Sequence, residues 1–152
     1  GRSGQSTPRA THLIKVAAQT ALGQRPGMEV FGTDYDTPDG TCLRDYIHVS
    51  DLIGAHMDAL SHLKRGGQSG IFNCGYGTGY SVLEVIKSVE RVHGLTLNVK
   101  YGPRRAGDPA GIVAGADKAR EILGWKPKYA DLDFIVDSAI RWEQHLMRRN
   151  AA

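Results

Sequence analysis

Residues 29–52 read EVFGTDYDTPDGTCLRDYIHVSDL. The apolar run MEVF (28–31) predicts a short strand, and GTDYDTPDG (32–40) behind it is too rich in Gly, Asp and Pro for regular structure. LRDYIHV (43–49) predicts a second extended segment. Ser50 then stands at a helix cap ahead of Leu52, Ala55, His56, Ala59, Leu60 and Leu63, which recur on one helical face until Gly66 and Gly67 close it.

The same alternation continues outward in both directions. Toward the N-terminus, Ser6, Thr7 and Pro8 open a helix whose Leu13, Ile14, Ala17, Ala18 and Ala21 share a face until Gly23 and Pro26. Toward the C-terminus, IFNC (71–74) predicts a compact strand. GYGTGY follows, and Ser81 with Glu84 forms a capping box for a helix carrying Val82, Val85, Ile86, Val89 and Val92 to Gly94. LNVKY (97–101) predicts a strand, YGPRRAGDPA (101–110) a loop, and Asp117 the cap of a short helix ending at Gly124. Trp125, Pro127 and Tyr129 mark a connector, and a last helix runs from about Asp131 to Leu146. Alternating helices and strands without repeats or low-complexity linkers imply an α/β fold.

At 152 residues the chain suits one domain, and 41% hydrophobic with 23% charged residues is ordinary globular composition. The formal net charge of +3 comes from basic residues spread along the chain, which argues against a nucleic-acid footprint. The two cysteines, Cys42 and Cys74, form neither a CxxC nor a disulfide framework, so a reducing cytoplasmic setting is expected. No apolar run approaches the roughly 18 residues of a membrane span, and no signal-peptide pattern opens the chain. The chain begins at Gly1 without a methionine, which leads us to expect part of a longer protein.

Several patterns invite a site and also admit a plainer reading. Gly75, Gly77 and Gly79 follow a strand and precede a helix, but Tyr80 stands where the dinucleotide fingerprint needs its third glycine, so a tight turn fits better. The six histidines form no set with carboxylates at ligand spacing, and His56 reads as a satisfied core residue. No Gly-x-Ser-x-Gly elbow occurs. Arg44 reads equally as a surface partner of Asp45 or, with Arg104 and Arg105, as one of several guanidinium forks at loop and strand ends, where two could hold a pyrophosphate.

Taken together and in order, TPRATHLIKVAAQ, EVFGTDYDTPDGTCLRDYIHVSDL, IFNCGYGTGYSVLEVI and PRRAGDPA resemble the C-terminal half of UDP-glucose 4-epimerases, in the extended short-chain dehydrogenase/reductase superfamily. The resemblance implies that residues 1–152 are the UDP-sugar-binding, substrate lobe of a two-lobed enzyme. Its NAD-binding Rossmann half is absent from this sequence, and the strands matching YIHV and IFNC would join that half's sheet. It also implies an isomerase of galactose metabolism that interconverts UDP-galactose and UDP-glucose through a 4-keto intermediate, a cytoplasmic homodimer when full length. A Tyr-x-x-x-Lys pair is missing: four positions beyond the six tyrosines stand Asp39, Ser50, Tyr80, Glu84, Arg105 and Asp133. No catalytic residue is assigned, and the chain alone is expected to be inactive.

Carried over by position, Arg44 and Arg105 match pyrophosphate-binding arginines, and Asp108 matches the acid that accepts hydrogen bonds from the ribose. Leu13 and Phe31 match positions beside the phosphate and the uracil. His12 departs from the Asn of better-known members, although a neutral imidazole can still donate. Ile112 matches the position bordering the sugar's 2-substituent. The alternatives are a 4-epimerase of UDP-N-acetylglucosamine or UDP-pentoses, and a non-catalytic nucleotide-sugar binding module.

Overall fold

The computed structural model describes residues 3–7 and 10–151. Three helices, α1 (Leu13–Ala21), α3 (Val82–His93) and α5 (Leu132–Ala151), pack on one another and on strand β1 (Met28–Phe31). Their apolar faces meet in one cluster that includes Ala17, Ala18, Met28, Val30, Val85, Val89, Val136 and Ile140. Alanines on α1 let the neighbouring helices approach closely, and the valines of α3 supply the bulk. The 3.6-residue spacing of these apolar positions is what turns all three helices inward.

β1 pairs in parallel with β4 (Val99–Gly102), Met28 opposite Val99 and Phe31 opposite Gly102. A second small sheet has the order β3-β2-β5, with β2 (Leu43–Arg44) between β3 (Tyr80–Ser81) and β5 (Gly111–Ile112). β2 runs antiparallel to β3 and parallel to β5. The remaining helices, α2 (Val49–Lys64) and α4 (Asp117–Leu123), meet over a second cluster of Ala55, Ala116, Ala119, Leu123 and Trp125. The α/β class expected from the alternation is thus present, with a partial sheet.

Several predicted boundaries move, each for a physical reason. The first helix begins at Leu13 with His12 at its cap position, not at Ser6 and Thr7; Pro8 lies outside the described residues. The segment before it is held against α5 instead: the Trp142 indole N–H donates to the Gln5 carbonyl at 2.8 Å, and its ring lies against Gly4. His48 rather than Ser50 caps α2, its Nδ1 accepting the Ser50 N–H at 3.1 Å. Asp117 is the first residue of α4 and not its cap. α5 continues beyond Leu146 to Ala151, and Asp131 Oδ1 accepts the Phe134 N–H at its start. The Ser81–Glu84 capping box and the left-handed Gly94 and Gly124 at helix C-termini are as the sequence indicates.

One predicted strand forms only at its start and another does not form. In LRDYIHV only Leu43 and Arg44 enter a ladder, and IFNC enters none, so that Ile71 is 86% exposed. β-propensity alone does not make a strand: a ladder partner is required, and none lies beside these segments among the described residues. The predicted core face of α2 is likewise only partly covered. Ala55 is buried, but Leu60 and Leu63 are exposed and, with Val49, Ile53 and Met57, leave an apolar stripe open along the helix. His56 is exposed, its Nδ1 2.7 Å from the Leu52 carbonyl, and is not a core residue.

Candidate functional site

β1 and β4 are parallel, so their C-terminal ends lie at one edge, where loops 32–42 and 103–110 emerge side by side. This is the edge at which α/β proteins place ligands. The two loops are stitched together by Arg104, whose Nε donates to Asp34 Oδ1 at 2.7 Å and whose guanidinium lies 4.2 Å from the centre of the Tyr35 ring. Gly32 makes room for this contact, since a Cβ there would stand 2.7 Å from Arg104 Cγ. Next to Arg104, Arg105 turns the other way. Its guanidinium lies 4.7 Å from the centre of the Phe31 ring, and its Nε and Nη2 reach Asp108 Oδ2 at 2.9 and 2.8 Å.

Arg44 joins from the second sheet. Its Nη1 donates to the Leu43 and Pro109 carbonyls at 2.7 and 3.0 Å, and its Nη2 stands 3.9 Å from Asp108 Oδ1. Two guanidinium groups therefore flank one carboxylate, leaving a net positive charge with N–H groups able to serve phosphate oxygens. Ile112 is the register partner of Arg44 on β5 and is 55% exposed, so the two residues share a face of the small sheet.

Beside this group lies a cavity of about 520 Å³, lined by Leu13, Phe31 and Arg105 and also by Glu29, Asn98 and Lys100. Arg44, Asp108 and Ile112 stand outside its wall. His12 is exposed, its Nδ1 lies 3.1 Å from Gln5 Nε2, and it does not line the cavity. The structure brings Phe31, Arg44, Arg105 and Asp108 together, with Leu13 lining the same cavity as Phe31 and Arg105, and Ile112 beside Arg44. Glu29, Asn98 and Lys100 were not singled out from sequence. A strand residue two positions before Phe31 shares its face, and that period-2 rule was the available signal for Glu29.

The suspected Arg44–Asp45 surface pair is not formed. Asp45 instead accepts the Tyr76 and Gly77 N–H groups at 3.0 and 2.9 Å and the Ala114 N–H at 3.3 Å. A carboxylate thus fills the N–H pocket of the Gly75–Gly79 turn. Gly75 is needed for close packing there, because a Cβ would stand 2.5 Å from Asp45 Oδ2 and from the Ala114 Cβ. A dinucleotide pyrophosphate would meet negative charge at that turn, so the residues of this chain do not fit the phosphates of NAD.

Beneath the turn, Asp51 ties α2 to the connector before α5. It accepts the Tyr76 hydroxyl at 2.7 Å and the Lys128 and Tyr129 N–H groups at 2.9 and 2.8 Å. Burial pushes its carboxyl upward, but these hydrogen bonds and nearby His48 outweigh it and hold the group below the usual carboxylate range. Burial and the bond to Asp51 push the Tyr76 phenol up to about 12. Tyr46, two residues beyond Arg44, is pushed up to about 12 by burial against the main core.

The sequence profile of the NAD dependent epimerase/dehydratase family matches residues 1–75. A UDP-glucose 4-epimerase of Azospirillum brasilense is 61% identical over 146 residues, which is 96% of this chain and 42% of the relative. Residues 1–75 are thus similar to the NAD dependent epimerase/dehydratase family, and nearly the whole chain is similar to part of UDP-glucose 4-epimerases. Among solved structures of the family, the UDP-Glc/GlcNAc 4-epimerase from Campylobacter jejuni superposes with a TM-score of 0.82 at 51% identity, covering 93% of this chain and 43% of that one. A Bifidobacterium longum UDP-glucose 4-epimerase in complex with NAD+ and UDP superposes at 0.81 and 41% identity, covering 88% and 39%. The chain therefore spans less than half the length of the family members it matches, and its fold is that of extended short-chain dehydrogenase/reductase epimerases.

Proposed function

We propose that residues 1–152 form the UDP-anchoring part of a UDP-glucose 4-epimerase, with the NAD-binding half and the proton-transfer residues in the rest of the protein. The observation that carries this reading is the convergence of Arg44, Arg105 and Asp108 beside the cavity floored by Phe31. Two arginines suit a pyrophosphate, and a carboxylate between them suits ribose hydroxyls once the arginines turn to the phosphates. The 4-epimerisation of a UDP-hexose requires that the nucleotide stay fixed while the sugar turns over, so binding energy must sit on the part of the substrate that does not react. Both segments that lack ladder partners, YIHV and IFNC, and the open stripe of α2 would then pack against the sheet of the NAD-binding half. A full-length homodimer in the cytoplasm belongs to the same proposal.

The test is a chimera in which residues 1–152 replace the matching portion of the Azospirillum brasilense relative. It should convert UDP-galactose to UDP-glucose, and Arg44→Ala with Arg105→Ala should abolish UDP binding, while the 152 residues alone should give no turnover. A chimera that folds and binds NAD but neither binds UDP nor epimerises would reject the reading. A second reading, acceptance of UDP-N-acetylglucosamine as well, is favoured by the exposure of Ile112 and by the 51% identity to the Campylobacter jejuni enzyme of that dual description.

A further inference from the structure

Arg104 takes no part in the UDP reading, yet the placement of Arg105 and Asp108 depends on it. Among the described residues, the backbone of residues 104–107 forms no hydrogen bond outside its own loop. Within the loop the Asp108 N–H donates to the Arg105 carbonyl at 3.4 Å, across a turn with Gly107 at a φ of 86°, so Asp108 comes back beside Arg105. Side chains alone hold this turn to the fold. Two of those ties, Arg44 to Asp108 and Arg105 to Phe31, are the ones that change when the arginines turn to phosphates. The third is Arg104, which meets loop 32–42 through its Nε on the Asp34 carboxylate at 2.7 Å, its Nη2 on the Asp34 carbonyl, and its guanidinium over the Tyr35 ring. That loop is a firm anchor. The Gly32 N–H donates to the Gly102 carbonyl and the Tyr35 N–H to the Gly40 carbonyl, both at 2.9 Å, the Thr37 hydroxyl donates to the Thr41 carbonyl at 2.8 Å, and Tyr35 is buried.

We propose that Arg104 and Asp34 form a latch that positions the diphosphate clamp: without contacting the ligand, they hold the turn carrying Arg105 and Asp108 where the phosphates of UDP meet it. The proposal rests on the UDP reading above and adds two positioning residues to it. With the latch closed the turn is ordered before the ligand arrives, so binding does not bear that ordering cost. Asp34 is the telling partner, because it is an acid, its side chain 74% exposed, next to a site for an anion. Through charge alone its removal strengthens UDP binding. Through the latch its removal weakens UDP binding, and the two effects have opposite signs.

The experiment is calorimetric titration of the chimera with UDP, in native form and with Asp34→Ala, Arg104→Ala and the two combined, alongside urea unfolding. Each single variant should weaken UDP binding by about three- to ten-fold, the range expected when one or two side chains must be ordered on binding. The double variant should bind no more weakly than Arg104→Ala, because either change opens the same latch. Urea midpoints should move little, since both side chains are largely exposed. Unchanged or tighter UDP binding in Asp34→Ala overturns the latch while leaving the UDP site intact. Losses that add in the double variant overturn it as well, since Arg104 then acts on the ligand directly. A urea midpoint that collapses in both single variants overturns the positioning role in favour of a structural one. Absence of UDP binding in a native chimera that folds and binds NAD overturns the functional reading, and the latch with it.

Discussion

The Tyr76 hydroxyl donates to Asp51 Oδ2 at 2.7 Å, and through that contact the glycine-rich turn, α2 and the connector at Lys128 and Tyr129 are joined at one carboxylate. The Trp125 indole N–H donates to the Asp51 carbonyl at 3.0 Å, so side chain and backbone of one residue hold the same junction. Asp51→Ala leaves the Lys128 and Tyr129 N–H groups without their acceptor, while the phenol keeps the Tyr129 carbonyl at 3.0 Å, and should cost roughly 3 kcal/mol or more. Tyr76→Phe keeps both backbone bonds and should cost only about 1 to 1.5 kcal/mol. Urea unfolding of the two variants measures both, and equal costs would show that the phenol, not the carboxylate, organises the junction.

The same carboxylate makes stability fall in acid. Its folded pKa lies below that of the unfolded chain, so the unfolded chain takes up the proton first and acid favours unfolding. The contribution is complete above the ordinary carboxylate pKa of about 4 and is lost as pH falls through the lower folded value. Asp39 acts in the same direction: burial raises it, but Ser81 and Thr41 hydrogen bonds bring it below the usual range. The urea midpoint should therefore decline between about pH 5 and 3, and Asp51→Asn should flatten part of that decline. An unchanged acid slope in Asp51→Asn would assign the loss to other carboxylates.

Lys15 on α1 and Glu143 on α5 form a buried ion pair across the helix bundle, and Gln19 Nε2 donates to the second Glu143 oxygen at 3.2 Å. Removing one partner strands the other charge away from water. Glu143→Ala should cost about 3 to 5 kcal/mol, whereas replacing both residues by methionine should come close to native stability. Thermal unfolding of the single and double variants decides it. A double variant no better than the single one would mean that the polar contacts to Gln19 and to the Gln5 carbonyl, which accepts from Lys15 Nζ at 3.3 Å, rather than the charge, hold the helices.

Much of this architecture was legible in the chain, and the failures share a cause. Ser81 and Glu84, Gly94, and the valines of α3 are local signals whose partners lie within one turn or one face, and they were read correctly. IFNC has the composition of a strand, yet composition says nothing of whether a neighbour is present to pair with it. Asp45 looked like the partner of Arg44 because they are adjacent, but its three N–H donors lie 31 to 69 positions away. Asp51 escaped notice for the same reason. In the candidate site, Arg44 and Arg105 share guanidinium chemistry legible at loop and strand ends, Asp108 enters by resemblance, and the residues that neither supplies, Glu29 and Lys100, are those whose placement depends on the register of two strands.

Arg105 stands between two competing contacts, the Asp108 carboxylate and the Phe31 ring. It is more than half exposed, so the pair with Asp108 contributes little to stability, and Arg105→Ala should change unfolding by under about 1 kcal/mol. Its effect on UDP should be larger, about 1.5 to 3 kcal/mol, the usual worth of a hydrogen bond to a charged group. Arg105→Lys should restore charge but not the two-pronged geometry, and recover only part of the affinity. Calorimetric titration with UDP reads the effect. Unaltered affinity in Arg105→Ala would return the loop to a solvated turn.

Ile112 offers the sharpest test of sugar selectivity. It stands in register with Arg44 on β5, next to the proposed pyrophosphate clamp, and is 55% exposed. That exposure argues against a mere packing role, since a residue buried under the loop would lose most of its surface. Isoleucine lacks the reach of a tyrosine ring and offers no hydrogen bond to an acetamide, so it neither walls off nor rewards a 2-N-acetyl group. Discrimination by apolar bulk alone is worth on the order of 1 to 3 kcal/mol. The chimera should therefore prefer UDP-glucose and UDP-galactose and turn over UDP-N-acetylglucosamine slowly. Ile112→Tyr should suppress the second activity by about ten-fold or more and spare the first, because the phenol occupies space that only the acetamide needs. The measurement is kcat/KM for both sugars in both proteins, with urea unfolding as control. If Ile112→Tyr lowers both activities equally without destabilising the fold, the ring is obstructing the clamp at Arg44 rather than gating the sugar, and the selectivity argument fails.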